Sequence, residues 1–194
     1  MFRDSISSIK NVIVVMTPWA DPLPCKRAWC VYEMYCAIST RSNLSILIPR
    51  EEKDSFRSAI SDNFWSLIRL LQVIDVAASH ASIEEDERNI HSTVQSHVEG
   101  GFTTVNNTLR LHLRSQLLKL CETMAQEAFE ATQANVTMLT SAGYCLFQFS
   151  RYECALLLAK RSITICSLLQ SQSHASDEEG NTSQGLLLPV PRKQ

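Results

Sequence analysis

The chain has 194 residues, of which 45% are hydrophobic and 20% charged, so it can bury one good core or two small ones and is not a disordered protein. Its formal charge is −2 and it has no basic cluster, which argues against nucleic acid as the main partner. The longest apolar run is too short for a bilayer and the seven cysteines fit reduced thiols, so we predict a cytoplasmic protein that does not enter a membrane.

The first residues predict a short amphipathic helix. Phe2, Ile6 and Ile9 recur at helical spacing, with polar residues between them. The helix would start at the initiator methionine with no capping residue before it, as in a fragment or a shortened gene model. We therefore also expect a truncated reading frame.

Residues 11–49 predict a strand, a crossover helix and a second strand. Residues 12–16 and 44–48 are largely apolar and lie just before prolines, which suits strands buried on both faces of a parallel sheet. Residues 25–40 contain no Gly and no Pro and are long enough for the helix that must connect such strands. Together they predict a right-handed βαβ unit.

Glu33 is the only acidic residue of the crossover helix, which is otherwise apolar nearly all the way round. It shares one helical stripe with Trp29 and Ala37 rather than lying among other charges. A carboxylate in that position is either poorly solvated or opens into a cleft. Glu33 is therefore the candidate chemical group of the chain.

The motif Trp29-Cys30-x-x-Glu33 follows the first strand and Trp19. Over residues 12–34 this pattern resembles the third strand and the following helix of Toll/interleukin-1 receptor (TIR) domains, whose Trp-Cys-x-x-Glu motif it matches in register. It is more similar still to the TIR-like module at the head of repeat proteins labelled kinesin-light-chain-like. The resemblance implies a partial flavodoxin-like parallel sheet of two to three strands.

In TIR domains that cleave NAD, the matching glutamate is the catalytic residue. The resemblance therefore implies catalysis by Glu33, with NAD as a substrate and no separate cofactor. We expect Trp19 and Trp29 to contact NAD in a cleft near the C-terminal ends of the strands, where ligands of open α/β sheets bind. The family's first two strands have no counterpart here, so the strand at residues 12–16 should keep an unpaired edge.

The stretch after the second strand predicts one or two helices and a further strand. Residues 51–71 carry an apolar stripe at helical spacing. Residues 72–76 break that period and precede small residues, which predicts a short third strand.

A capping-box pattern opens the next helix. Ser82 and Glu85 stand at the spacing of such a box, and Gly100-Gly101 ends the helix that follows. We therefore predict a truncated TIR-like α/β domain over residues 1–100.

Residues 101–170 predict an all-α region, so that helix dominates the chain. From residue 104 apolar residues recur at spacings of three and four, which predicts a long amphipathic helix. Flanking Glu/Lys pairs do not accompany the stripe, which favours packing within the chain over a coiled coil. Asn135 can cap the next helix, and residues 136–149 and 152–170 then form an antiparallel hairpin.

The hairpin carries small residues at Gly143 and Ala155, which let its two helices approach closely. With Leu146, Arg151 and Tyr152 these residues resemble the core of a tetratricopeptide repeat (TPR), although a single repeat is present where arrays need about three. Polar residues then dominate, and we expect residues 171–194 to be a disordered tail.

Three hypotheses of function stay open. The first is a protein-interaction and signalling adaptor that binds protein partners through its TPR-like helices and TIR-like surface, with self-association through the open strand edge. The second is an NAD+ nucleosidase in which Glu33 either stabilises the oxocarbenium-like ribose or positions its hydroxyl groups. The third is a folded remnant with no function. Because the wall opposite Glu33 is not encoded, the adaptor is favoured.

No metal site is expected. Cys25, Cys30 and Cys36 do not have the spacing of a zinc knuckle, and no histidine lies near them.

Overall fold

The computed structural model describes residues 2–72 and 74–182, which form a helix-dominated chain with one small parallel sheet. Two compact units divide between Met124 and Ala125, whereas the sequence-based boundary lies at residue 100. The elements are α1 (Phe2–Ile9), β1 (Asn11–Val15), α2 (Ala28–Ser39), β2 (Asn43–Leu47), α3 (Lys53–Gln72), α4 (Glu84–His97), α5 (Gly101–Gln126), α6 (Gln133–Gln148) and α7 (Tyr152–Thr182).

The predicted strand, helix and strand are confirmed. β1 and β2 pair in parallel, with Asn11 opposite Asn43 and Val15 opposite Leu47, and α2 connects them. In the part of the chain that the structure describes, the sheet has these two strands alone. The predicted open edge of β1 is therefore present.

The prediction that both faces of the strands are buried is wrong. Val14 and Leu44 are buried on one face, but on the other Ile13 is 64% exposed, Val15 42% and Leu47 49%. α1 and α2 both contact the sheet, and no described element covers the side that carries Ile13. An apolar strand run does not show how many layers surround it.

The predicted third strand at residues 72–76 is absent from the described residues, among which Val73 is not included. α3 extends to Gln72, and Ile74 and Val76 are buried outside any strand. Side chains of α5 bind this backbone instead: Asn106 Oδ1 accepts from the Val76 N–H at 2.9 Å, and Arg110 donates to the Ile74 carbonyl at 2.7 Å. The apolar side chains therefore enter the core of the first unit without pairing in the sheet.

Two helix caps differ from their prediction. The N-cap of α4 is Ile83 rather than Ser82, and its side chain has no oxygen that could cap the helix. The Glu87 carboxylate reaches back and accepts from the Ala81 N–H at 3.0 Å. The N-cap of α6 is Thr132 rather than Asn135, and its hydroxyl oxygen accepts from the Asn135 N–H at 3.2 Å.

The long helix α5 is confirmed. It runs for 26 residues, and its stripe is fully buried at Val105, Leu109 and Leu113. An apolar side chain every three to four residues needs a partner surface over the length of the helix, and here the stripe has one.

The hairpin of the second unit consists of α6 and α7. Ser150 turns the chain with a φ of 58°, and the Arg151 N–H donates to the Leu146 carbonyl at 2.8 Å. A Cβ placed on Gly143 would lie 3.5 Å from the Ala155 carbonyl oxygen and 3.5 Å from the Leu158 Cβ. The helices therefore do come close at the small residues.

Arg161 ties the hairpin to the segment before it. Its guanidinium donates to the carbonyls of Ala125 (3.2 Å), Gln126 (2.8 Å) and Ala128 (2.8 Å), and it lies 4.7 Å from the centre of the Phe129 ring. Ala125 and Gln126 are the last two residues of α5, where the carbonyls have no intrahelical donors, and Ala128 follows the helix.

α7 continues to Thr182, where the sequence predicted a disordered tail from residue 171. Residues 171–179 contain neither Gly nor Pro, so nothing in their backbone chemistry stops the helix. Residues 183–194 lie outside the described part of the chain.

Candidate functional sites

Glu33 lies in a pocket between β1 and α2. The pocket has a volume of about 200 Å³, and its lining residues are Val12, Ile13, Val14, Val15, Pro24, Cys30, Glu33 and Met34. Glu33 is the one acidic residue of this lining, and neither Trp29 nor Ala37, with which it shares a helical stripe, belongs to it. The carboxylate is both partly desolvated and open to a cleft.

The edge of β1 forms one wall of this pocket. The four residues of β1 that line the pocket are consecutive. Because side chains of a strand point alternately to opposite faces, a pocket that contacts all four lies against the edge of the strand. The Lys10 carbonyl and the Met16 N–H bond to β2. Backbone groups also alternate along a strand, so the even-numbered residues of β1 face β2 and the N–H and C=O groups of Ile13 and Val15 point to the open edge.

The electrostatic setting of Glu33 is that of a half-buried acid. Burial raises the pKa of its carboxyl group, and the positive charge of Arg27 lowers it to a smaller extent. The carboxylate makes no hydrogen bond within the described residues. Lys26, which could have paired with Glu33, instead contacts Asp21 at 2.6 Å. Glu33 is therefore an acceptor with unused capacity.

Cys30 shares the pocket with Glu33. Burial raises the pKa of its thiol, and the negative charge of Glu33 raises it further. The buried Cys25 thiol, with a pKa of about 12, is likewise neutral at ordinary pH. Neither is an activated nucleophile. Among the described residues no cluster of His, Cys, Asp and Glu could hold a metal ion.

The two tryptophans expected to contact NAD lie elsewhere in the first unit. Trp19 stacks edge-on against Phe56, donates its indole N–H to Ser55 at 2.7 Å, and has its backbone N–H bound by the Glu52 carboxylate at 2.6 Å. Trp29 donates its indole N–H to Asp86 at 3.1 Å. Neither lines the pocket of Glu33, so the structure does not bring the three predicted site residues together there.

The second unit has a larger concave surface, which we call the hairpin groove. It has a volume of about 610 Å³, and its lining residues are Leu139, Thr140, Gly143, Tyr144, Phe147, Tyr152, Ala155, Leu156, Ala159, Ser162 and Ile163. Phe147 and Tyr152 contact each other edge to face, with ring centres 5.5 Å apart. Large apolar side chains thus stand exposed on facing positions of α6 and α7.

The hairpin groove was not predicted from the sequence. A signal was available, because α7 carries apolar residues at consecutive positions, Leu156, Leu157 and Leu158, and one buried face of a helix cannot accommodate all three. Leu158 is buried, while the other two are exposed.

Residues Tyr152–His174 of α7 are long and apolar enough to cross a membrane on length and composition alone. Helices that pack in soluble proteins pass the same test, so this is weak evidence of a span. It is the one such stretch among the described residues.

No protein-family model, no curated protein and no solved structure matches this chain. The resemblances to TIR domains and to tetratricopeptide repeats therefore stay predictions from the motifs themselves.

Proposed function

We propose that this protein is a cytoplasmic interaction and signalling adaptor, in which a TIR-like α/β unit precedes a TPR-like helical hairpin. It works through protein partners, with no cofactor, nucleic acid or membrane. The hairpin groove carries this proposal, because an exposed apolar concavity with aromatic walls is the surface chemistry of protein recognition.

The dimensions of the groove suit a helix of the partner. Along α7 the lining extends from Tyr152 to Ile163, which at 1.5 Å per residue is about 16 Å, or about three helical turns. An amphipathic partner helix would place its apolar stripe between α6 and α7 and so become a third helix of the layer. Tyr144, Phe147 and Tyr152 supply the large rigid side chains that dominate binding energy at such interfaces.

A pair of neighbouring leucines tests the proposal. Leu156 lines the groove and Leu157 does not, although both are 56% exposed. Proteins that co-purify with the tagged full chain should be reduced at least about tenfold by Leu156→Asp and retained by Leu157→Asp, since a buried unpaired charge is costly. Equal loss with both variants, or no loss with either, would contradict binding in the groove. Circular dichroism shows whether both variants fold.

NAD cleavage is the second candidate, and the raised pKa of Glu33 in a pocket favours it. The volume of about 200 Å³ argues against it, because pockets for small molecules usually have about 300–1,000 Å³. Apart from the Cys30 thiol, a weak hydrogen-bonding group, the lining also has no second polar side chain to orient a ribose. We expect no nicotinamide release from NAD by the purified chain. Release that Glu33→Ala abolishes in a folded protein would establish the enzyme instead.

A further inference from the structure

The open edge of β1 and the Glu33 pocket form one continuous surface. The outward N–H and C=O groups of Ile13 and Val15 have no strand partner within the described residues. Such an edge is a ready template for an added strand, because each outward group can bond to an extended backbone. Side chains of that strand on the α2 side would enter the pocket beside Glu33.

The two faces of the sheet then define what the added strand must carry. On the α2 side the pocket presents a half-buried carboxylate without a hydrogen bond. On the other side Ile13, Val15 and Leu47 form an exposed apolar row. A strand with basic side chains towards α2 and β-branched side chains on the opposite face complements both surfaces.

We propose that β1 accepts an extended peptide of a partner protein as a third strand, with a Lys or Arg of that peptide bound to Glu33 in the pocket. The charge of Arg27 is the one positive charge that acts on this carboxylate within the described residues. A bound Lys or Arg would lie closer, at hydrogen-bonding distance. The site lies in the first unit and does not depend on the hairpin groove.

Peptide binding to the full chain tests this site. The probe is a labelled ten-residue peptide of alternating valine and lysine, and the matched probe has glutamate in place of lysine. Fluorescence anisotropy should show binding of the lysine peptide alone. Glu33→Gln should weaken that binding about tenfold or more, since a charge-assisted hydrogen bond is lost. Glu51→Gln, which removes the same charge from an exposed position, is the control and should leave the affinity unchanged.

Amide hydrogen exchange locates the peptide. Binding should slow the exchange of the Ile13 and Val15 amides, whose N–H groups point to the open edge. The proposal is overturned if the peptide binds without protecting these amides, if both peptides bind equally, or if Glu33→Gln and Glu51→Gln behave alike. Protection of the same amides in the free protein, together with a dimeric mass by light scattering, would also overturn it, because a second copy would then occupy the edge.

Discussion

Gly143 offers a graded test of the close approach between α6 and α7. Its hypothetical Cβ lies at ordinary contact distance, 3.5 Å, from the Ala155 carbonyl oxygen and the Leu158 Cβ. Alanine therefore fits without displacement and removes the helix penalty of glycine, so Gly143→Ala should stabilise the hairpin by about 0.5–1 kcal/mol. Leucine adds three further carbons against the α7 backbone, so Gly143→Leu should destabilise it by about 1–3 kcal/mol.

The measurement has to follow the hairpin itself, because a chain of two units has no single free energy of unfolding. Hydrogen exchange of the Leu139 and Leu146 amides in α6 reports on local opening. Exchange should be slower in Gly143→Ala and about 5- to 150-fold faster in Gly143→Leu than in the unmutated chain. Thr137→Leu, at an exposed position of α6, serves as the control. Equal exchange in the alanine and leucine variants would refute the proposed packing at this position.

Three further substitutions follow from the contacts of single side chains. Arg161→Met should destabilise the second unit by about 2 kcal/mol, measured by hydrogen exchange of the Leu139 and Leu146 amides, because three carbonyls lose a charged donor, whereas Lys160→Met at the exposed neighbouring position should have little effect. Hydrogen bonds from Thr17 and Trp19 lower the pKa of Glu52, so its stabilisation is present above the ordinary glutamate pKa and is lost as pH falls through the lowered value. The melting-temperature difference between the unmutated chain and Glu52→Gln should therefore shrink on acidification; a constant difference would show that these bonds do not depend on the charge. The pKa of Glu33 is raised instead, so ionisation of this carboxyl group opposes folding. Glu33→Gln should therefore have a higher melting temperature than the unmutated chain at pH 7 and the same melting temperature at low pH. A lower melting temperature at pH 7 would mean that the carboxylate is paired in the fold.

Elements whose sequence signal lies within their own segment could be predicted. The apolar runs of β1 and β2, the crossover segment without Gly or Pro, and the periodic stripe of α5 each carry their signal within the segment, and all four elements formed. The prediction of a third strand is wrong because the Val76 N–H donates to Asn106 and the Ile74 carbonyl accepts from Arg110, 30 and 36 residues further along the chain. No pattern within residues 72–76 contains that information.

The features of the candidate sites likewise include some that follow from the local sequence and others that depend on residues distant in sequence. The half-burial of Glu33 follows from its position on an apolar helix, and the close helix contact at Gly143 follows from the small residues there. The surroundings of the two tryptophans could not be predicted in this way, because their hydrogen-bond acceptors are distant in sequence. The Trp19 backbone N–H donates to Glu52, and the Trp29 indole N–H donates to Asp86. The exposed apolar face of the sheet could not be predicted either, nor could the hairpin groove. Whether another element packs over an apolar surface is a property of the tertiary structure.

Photo-crosslinking from inside the hairpin groove tests the adaptor proposal most directly. Tyr144 lines the groove, whereas Gln148 is exposed on the same helix and does not line it. Each is replaced in the full chain by p-benzoylphenylalanine, and the cells are irradiated. The account predicts a discrete adduct with another protein from position 144, none from position 148, and loss of the adduct when Leu156→Asp is added. Equal adducts from both positions, an adduct with a second copy of this chain, or no adduct from position 144 would contradict it.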